Sequence, residues 1–231
     1  ALRVRQAAFG ERHSLVAASL NDLGHALALQ GRGPEGEAFQ RQALAIRRSL
    51  FGGEHPEVAR SLTSLAGTLA LQLKRTEAEE LQREALAMQQ KFLEADHPDR
   101  IASLNNLGRL LWDGGRLPEA EAAFRAALAG AKANQNLATS KAMVKLARVL
   151  SAQGKLAEAE IVAREALALR RRLLDREHLL VREAFHDLVG LLQRQDRFGE
   201  VETLYRDRLQ LMESQLPEGE PEITHTLVSF T

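Results

Sequence analysis

One constant step runs through this chain and leaves few folds open to it. It carries His13 to His55 and His55 to His97. An apolar triplet keeps the same step: Leu20, Leu23, Leu27, then Leu62, Leu65, Leu69, then Leu104, Leu107, Leu111. A fourth copy, Met143, Leu146, Leu150, follows at a slightly shorter step, and a fifth, Phe185, Leu188, Leu192, at the full step again. Spacing of three then four is the stripe of an amphipathic helix, so each copy places one buried face on one helix. Units of this length bury their apolar faces on their neighbours and stack into a quasi-one-dimensional array.

A second series follows each stripe. "GRGPEGEAFQRQAL" from Gly31, "LKRTEAEELQREAL" from Leu73 and "GRLPEAEAAFRAAL" from Gly115 align with "GKLAEAEIVAREAL" from Gly154 and "DRFGEVETLYRDRL" from Asp196. Each opens on a turn with a basic residue and continues as a helix, with Pro34 or Pro118 in the first turn where a proline is present. Small residues recur at Gly36, Ala78, Ala120 and Ala159, and at Ala43, Ala85, Ala127 and Ala166, where two helices can approach closely. The unit is helix, short turn, helix.

Leu107-Gly108, Leu111, Gly115, Ala120, Phe124 and Ala127 fall at the spacing of the tetratricopeptide pattern. The period here is longer than the roughly 34 residues of the ordinary pattern. With "DHPDRIASLNNLGRLL" and "EAFQRQALAIRRSLFG", it resembles the variant typified by kinesin light chain. The resemblance implies an all-α fold, a right-handed superhelical solenoid of antiparallel helix pairs. Five repeats are expected over residues 13–216, at about 13–54, 55–96, 97–135, 136–177 and 178–216. Residues 1–12 read as the end of a preceding repeat helix and 217–231 as the start of a sixth.

Composition excludes several functions. Lys plus Arg total 31 and so do Asp plus Glu, so a nucleic-acid or membrane-surface role has no electrostatic footprint. No apolar run approaches a membrane span, and the first residues lack a signal peptide's apolar stretch. Cysteine is absent, which removes disulfides and thiolate metal sites and fits a reducing compartment, here expected to be cytoplasmic. No phosphate-cradling glycine loop, His-Glu-x-x-His or nucleophile elbow occurs. The chain reads as a non-enzyme, with no catalytic residue, cofactor or metal assigned.

His55 and His97, each between carboxylates and before a proline, are the residues most like a metal or acid–base site. Their repetition at helix entrances makes them punctuation. Pro56 and Pro98 sit at the first helical position, and Glu57 and Asp99 lie at the positive end of the helix dipole. Paired acids such as Glu79-Glu80 and Glu119/Glu121, and the arginine run "ALRRRLLDR" from Ala168, read as solvated surface. Between the third and fourth units the His-Pro signal gives way to Asn134-Gln135-Asn136, and Gly130 stands where other units carry Ile46, Met88, Leu169 and Leu211.

The remaining side of each first helix is the expected binding face, since such arrays use the concave surface that first helices line. It offers Asn21, His25 and Ala28; Thr63, Gly67 and Ala70; Asn105, Arg109 and Trp112; Val144, Arg148 and Ser151; and His186, Gly190 and Gln193. Arg60, Arg100, Lys141 and Glu183 lie one turn earlier, and Asp113 beside Trp112. The balance is basic, with an exposed tryptophan as apolar anchor. Resemblance to kinesin light chain implies that the asparagine of "SLNNL" contacts the backbone of an extended peptide; it maps to Asn21 and Asn105, while Thr63, Val144 and His186 depart from it.

The expected function is a protein-interaction scaffold whose partner is a protein or an extended, acidic peptide, held by Asn21, His25, Arg60, Thr63, Asn105, Arg109, Trp112, Lys141, Arg148 and His186. The alternative is a regulatory or self-associating repeat segment of a larger bacterial signalling protein, packing on its own effector domain. In that reading the apolar stripes of cut terminal helices, Leu2, Val4 and Phe9 or Ile223 and Leu227, are exposed and adhesive.

Overall fold

A computed structural model describes residues 2–131, 135–175 and 178–213; the expected sixth first helix, with Ile223 and Leu227, lies outside them. Among the described residues every regular element is an α-helix. In chain order they are α1 (Leu2–Phe9), α2 (Ser14–Leu29), α3 (Gly33–Phe51), α4 (Pro56–Leu71), α5 (Arg75–Phe92), α6 (Pro98–Asp113), α7 (Leu117–Ala131), α8 (Leu137–Ala152), α9 (Leu156–Leu173), α10 (Leu179–Gln193) and α11 (Phe198–Glu213). Even-numbered helices are the first of each pair and pack on the odd-numbered helix that follows, and each second helix packs on the next first helix. The result is an all-α solenoid of antiparallel pairs. Among the described residues, no helix is long and apolar enough to cross a membrane.

The turn inside each pair is made by one left-handed residue: Gly31, Gly115 and Gly154 in three units, Leu73 (φ 61°) and Asp196 (φ 56°) in the other two. The two non-glycine residues carry a local strain of about 1 kcal/mol each that their glycine counterparts avoid. Within a pair, the helices cross where a side chain is missing. A Cβ on Gly24 would lie 2.6 Å from both the Gly36 carbonyl and the Gln40 side chain, and one on Gly108 would lie 2.7 Å from the Phe124 ring. Phe124 can fill that crossing only because Gly108 leaves it empty.

The stripes form the core, with exceptions. Leu62, Leu65 and Leu69 are inaccessible, and Leu104, Leu107, Leu111, Leu146, Leu150, Phe185, Leu188 and Leu192 are buried. Leu23 is not: it is 37% exposed. Its counterpart Leu65 is covered by the full length of α3, whereas α1 is a short helix over α2. Ala28, expected on the binding face, is buried instead, because the glycine contact brings the α3 backbone against it. Val144, also expected there, joins the main core cluster, an apolar side chain taking a place that Asn and Thr hold elsewhere. Leu2 packs on the first core cluster rather than standing exposed, while Val4 is exposed and Phe9 stacks on His13 with ring centroids 4.7 Å apart.

Acids expected as mere solvated surface build the step between units. Glu37 accepts from Lys74 and Gln72 of the next unit and from its own Arg41, which also reaches Glu77. Glu79 repeats this with Arg116 and Arg83, Glu121 with Lys155 and Arg125, and Glu160 with Arg197, Gln195 and Arg164. Of the arginine run, Arg170 is buried at 1% exposure, pairing with Glu183 at 3.0 Å and donating to the Leu180 carbonyl. Arg47 lies at the equivalent place and donates to Ser61 Oγ at 2.6 Å. Just before the irregular third link, a Cβ on Gly130 would overlap the Ala95 carbonyl, so the missing side chain lets α7 approach the α5–α6 link.

Two outcomes check this packing. Gly108→Ala should destabilise the chain by about 1–3 kcal/mol, since the Phe124 ring has to move, while Gly67→Ala, whose Cβ meets nothing within 4 Å, should stabilise it by up to about 1 kcal/mol through helix propensity. Urea denaturation followed by circular dichroism measures both. The ladder should set the acid limit of stability. Burial alone would raise the Glu37 carboxyl, but hydrogen bonds from Lys74, Arg41 and Gln72 outweigh it and hold it at about 2, against 4.5 ordinarily. A depressed carboxyl contributes stability that is complete above about 4.5 and lost as pH falls towards about 2. Melting temperature should drop through that window, and less steeply in Glu37→Gln.

Candidate functional site

On the first-helix face, four of the expected polar residues, Asn21, Arg60, Thr63 and Arg148, are already engaged with the neighbouring unit. Asn21 donates to Ser64 Oγ at 3.0 Å, joining α2 to α4. Thr63 and Ser103 share a hydrogen bond at 3.1 Å, and Arg60 pairs with Asp99 at 3.0 Å and with Glu57, joining α4 to α6. The bond to Asp99, more than the nearby charges, raises the Arg60 pKa. Asn105 donates back to the Ile101 carbonyl of its own helix, and its Oδ1 is buried with no hydrogen-bond partner. His25 and His186 are exposed, His186 with its ring edge-on to Phe185.

The junction between α8 and α10 is the most strongly paired. Arg148 donates to both oxygens of Asp187 and, at 2.7 Å, to Glu183. Burial opposes the charge on Arg148, yet these carboxylates outweigh it and raise its pKa. Arg148 is therefore already paired with two carboxylates of the next unit.

One step back, the same geometry meets a different residue. Arg109 on α6 and Arg148 on α8 each stand two places after the middle leucine of their stripe. Lys145 on α8 and Asp187 on α10 each stand one place before it. Where the later junction has an ion pair, the earlier one sets two cations facing each other. A pocket of about 250 Å³ opens there, lined by Arg109, Trp112, Asp113, Phe124, Lys145 and Arg148. Trp112 is half-buried and packed on the main core cluster, not fully exposed as expected. The Lys145 ammonium lies 5.9 Å from the centre of the Phe124 ring. Burial, then the charges of Arg109 and Lys141, lower the Lys145 pKa. The one carboxylate in the pocket wall, Asp113, reaches Arg109 at 3.4 Å.

Of the ten expected site residues, the structure brings Arg109, Trp112 and Arg148 into one pocket and sets Lys141 close enough to act on Lys145. Asn21, Arg60 and Thr63 lie along the same face but hold units together. Lys145 is a pocket residue outside the expected set. Its signal is present one place before the middle leucine of each stripe, where Asp22, Ser64, Asn106, Lys145 and Asp187 succeed one another.

The repeated histidines have a definite task. Nδ1 of His13, His55, His97 and His178 accepts the backbone N–H two residues on, at 3.1–3.2 Å, and so caps its helix. At α8, where no histidine is present, Asn136 Oδ1 accepts from the Thr139 N–H at 3.0 Å. Among the described residues no group of three His, Asp or Glu could hold a metal ion.

The tetratricopeptide repeat family model matches residues 15–89, 65–133 and 138–214. Among solved structures, the chain is similar to the nearly identical TPR-like repeats of a Podosopora anserina kinesin light chain. Identity is 25%, coverage 89% of this chain and 99% of that one, and TM-score 0.76. BtubC (BKLC) from P. vanneervenii gives 16% identity over 95% and 89% of the two chains with a TM-score of 0.80, a likeness of fold. A Rap conjugation gene regulator of the plasmid pLS20, solved with the Phr* peptide, gives 18% identity over 83% and 52% with a TM-score of 0.57, again a likeness of fold. No curated protein matches.

If the imidazole acts as a cap, His55→Ala should cost about 1 kcal/mol and His55→Asn much less, because an amide oxygen can accept the same N–H. Thermal melts of the two variants separate this from a bystander histidine, for which they would coincide.

Proposed function

The chain belongs to the tetratricopeptide repeat family, and on that premise we propose that it is a scaffold that holds an extended, acidic peptide along its first-helix face, which is the concave one in stacks of helix pairs. The observation that carries this reading is the pocket between α6 and α8. It combines an aromatic wall, Trp112, with two cations, Arg109 and Lys145, that face each other across the junction, with Asp113 of the same helix as Arg109 the one carboxylate in the wall. Elsewhere on this face Arg60 is neutralised by Asp99 and Glu57 and Arg148 by Asp187 and Glu183, while Arg100 donates to the Leu93 carbonyl. A ligand gains most where charge has not been satisfied, so the anchor of an acidic peptide belongs at α6–α8.

The rest of the groove supplies room rather than charge. Gly67 and Gly190 have open space at the position of a Cβ, so a peptide backbone can pass close to α4 and α10. The buried Asn105 Oδ1, which has no partner in the chain, is an acceptor beside this face.

Trp112 is the chain's only tryptophan, so its emission reports occupancy of the pocket. Fluorescein-labelled acidic peptides, half of them carrying an aromatic residue, should bind with a rise in anisotropy and a change in Trp112 emission. Charge-assisted hydrogen bonds are worth about 1.5–3 kcal/mol each, so Arg109→Glu with Lys145→Glu should weaken binding at least ten-fold. Arg75→Glu, at the start of a second helix, should leave it unchanged. Binding that ignores the double reversal and leaves Trp112 emission constant places the ligand elsewhere.

A further inference from the structure

We infer that the α6–α8 pocket is a site for an aryl phosphomonoester: it takes a phosphorylated aromatic side chain of the bound peptide, with the phosphate bridging Arg109 and Lys145 and the ring against Trp112. This rests on the groove reading above and adds the chemistry of the residue at its anchor.

Three observations lead to it. The first is the charge mismatch between two equivalent junctions. Arg148 meets Asp187 across α8–α10 at 2.8 Å, and the same two places across α6–α8 hold Arg109 and Lys145. Two cations brought together in a half-buried site repel, and an anion between them turns repulsion into two charge-assisted hydrogen bonds.

The second is the size of the imbalance. Arg109 and Lys145 in the pocket, with Lys141 beside them, stand against Asp113 alone, since Arg148 and Arg170 together balance Asp187 and Glu183. Three positive charges less one negative leave an excess of two. A carboxylate carries one charge, whereas a phosphomonoester carries about 1.5–2 at neutral pH and three acceptor oxygens. It is the dianion that matches.

The third is the wall. Trp112 and Phe124 line the same 250 Å³ space as the cations. A lone phosphate leaves that apolar surface uncovered, and an aromatic ring fills it, stacking offset or edge-on. Burial of Lys145 beside two other cations lowers its pKa, as expected of an ammonium that lacks its counter-ion.

Phenyl phosphate is the probe, with inorganic phosphate and benzoate as the separated halves of its chemistry. Ionic strength is held constant, so that screening does not imitate binding. Phenyl phosphate should change Trp112 emission and raise the melting temperature by a few degrees. It should bind at least ten-fold tighter than benzoate and tighter than inorganic phosphate. Its affinity should fall between pH 7.5 and 5.5 as the dianion takes up a proton near pH 6.

Lys145→Asp recreates at α6–α8 the pairing of α8–α10. That variant should melt higher than the parent without ligand and lose the response to phenyl phosphate. Equal binding of benzoate and phenyl phosphate overturns the inference while leaving the acidic-peptide reading intact. So does a Lys145→Asp variant that melts lower, or an absent phenyl phosphate response in a chain whose acidic-peptide binding still depends on Arg109 and Lys145. Failure of the peptides with phenyl phosphate still bound sinks the groove reading instead.

Discussion

A carboxylate near the start of each second helix, held by the basic turn residue of the next unit, fixes the step along this molecule. Glu37 and Lys74, Glu79 and Arg116, Glu121 and Lys155, and Glu160 and Arg197 are the same contact made four times. Exposed pairs of this kind are individually weak, but here each acid accepts two or three donors, and the four acids are only 12–22% exposed. With the step fixed, a side chain in one unit always faces the same position of the next. The identity of two residues then decides whether a junction is closed by an ion pair or held open by repulsion.

That constraint connects architecture to function. Asn21–Ser64, Arg60–Asp99, Thr63–Ser103 and Arg148–Asp187 show the first-helix face mostly satisfying itself. A scaffold neutralised along its whole length would offer a peptide little beyond shape. The α6–α8 junction departs from the pattern next to the irregular third link, where the repeat shortens; just before that link, Gly130 lets α7 close on the Ala95 carbonyl of the α5–α6 link. The break in period and the break in charge pairing fall at the same place. The aromatic pocket lies there too.

Much of the fold is legible in the sequence because it is periodic. The stripes, the turns and the small residues at the helix crossings announce themselves by recurrence, and they position every helix pair. What is not legible depends on occupancy rather than period. Leu23 keeps the stripe but lacks the cover that α3 gives Leu65, and Val144 sits at a surface position yet is drawn into the core by its own apolarity. The histidines read as helix punctuation, but the acceptor role of Nδ1 follows from ring orientation, which spacing does not encode. Arg170 reads as part of a solvated run, whereas its guanidinium is buried against Glu183. For the site, Arg109, Trp112 and Arg148 stand out from their place on the helix. Lys145 requires knowing which position of one unit faces which position of the next.

The central claim is that two equivalent junctions have opposite electrostatics. A pair of double-mutant cycles tests it directly, one on Arg109 and Lys145, the other on Arg148 and Asp187, with each residue replaced by Met, singly and together. Coupling energies isolate the pairwise interaction from the cost of each substitution. The account predicts coupling of opposite sign, destabilising for Arg109 with Lys145 and stabilising for Arg148 with Asp187. Stabilising or absent coupling between Arg109 and Lys145 would contradict it.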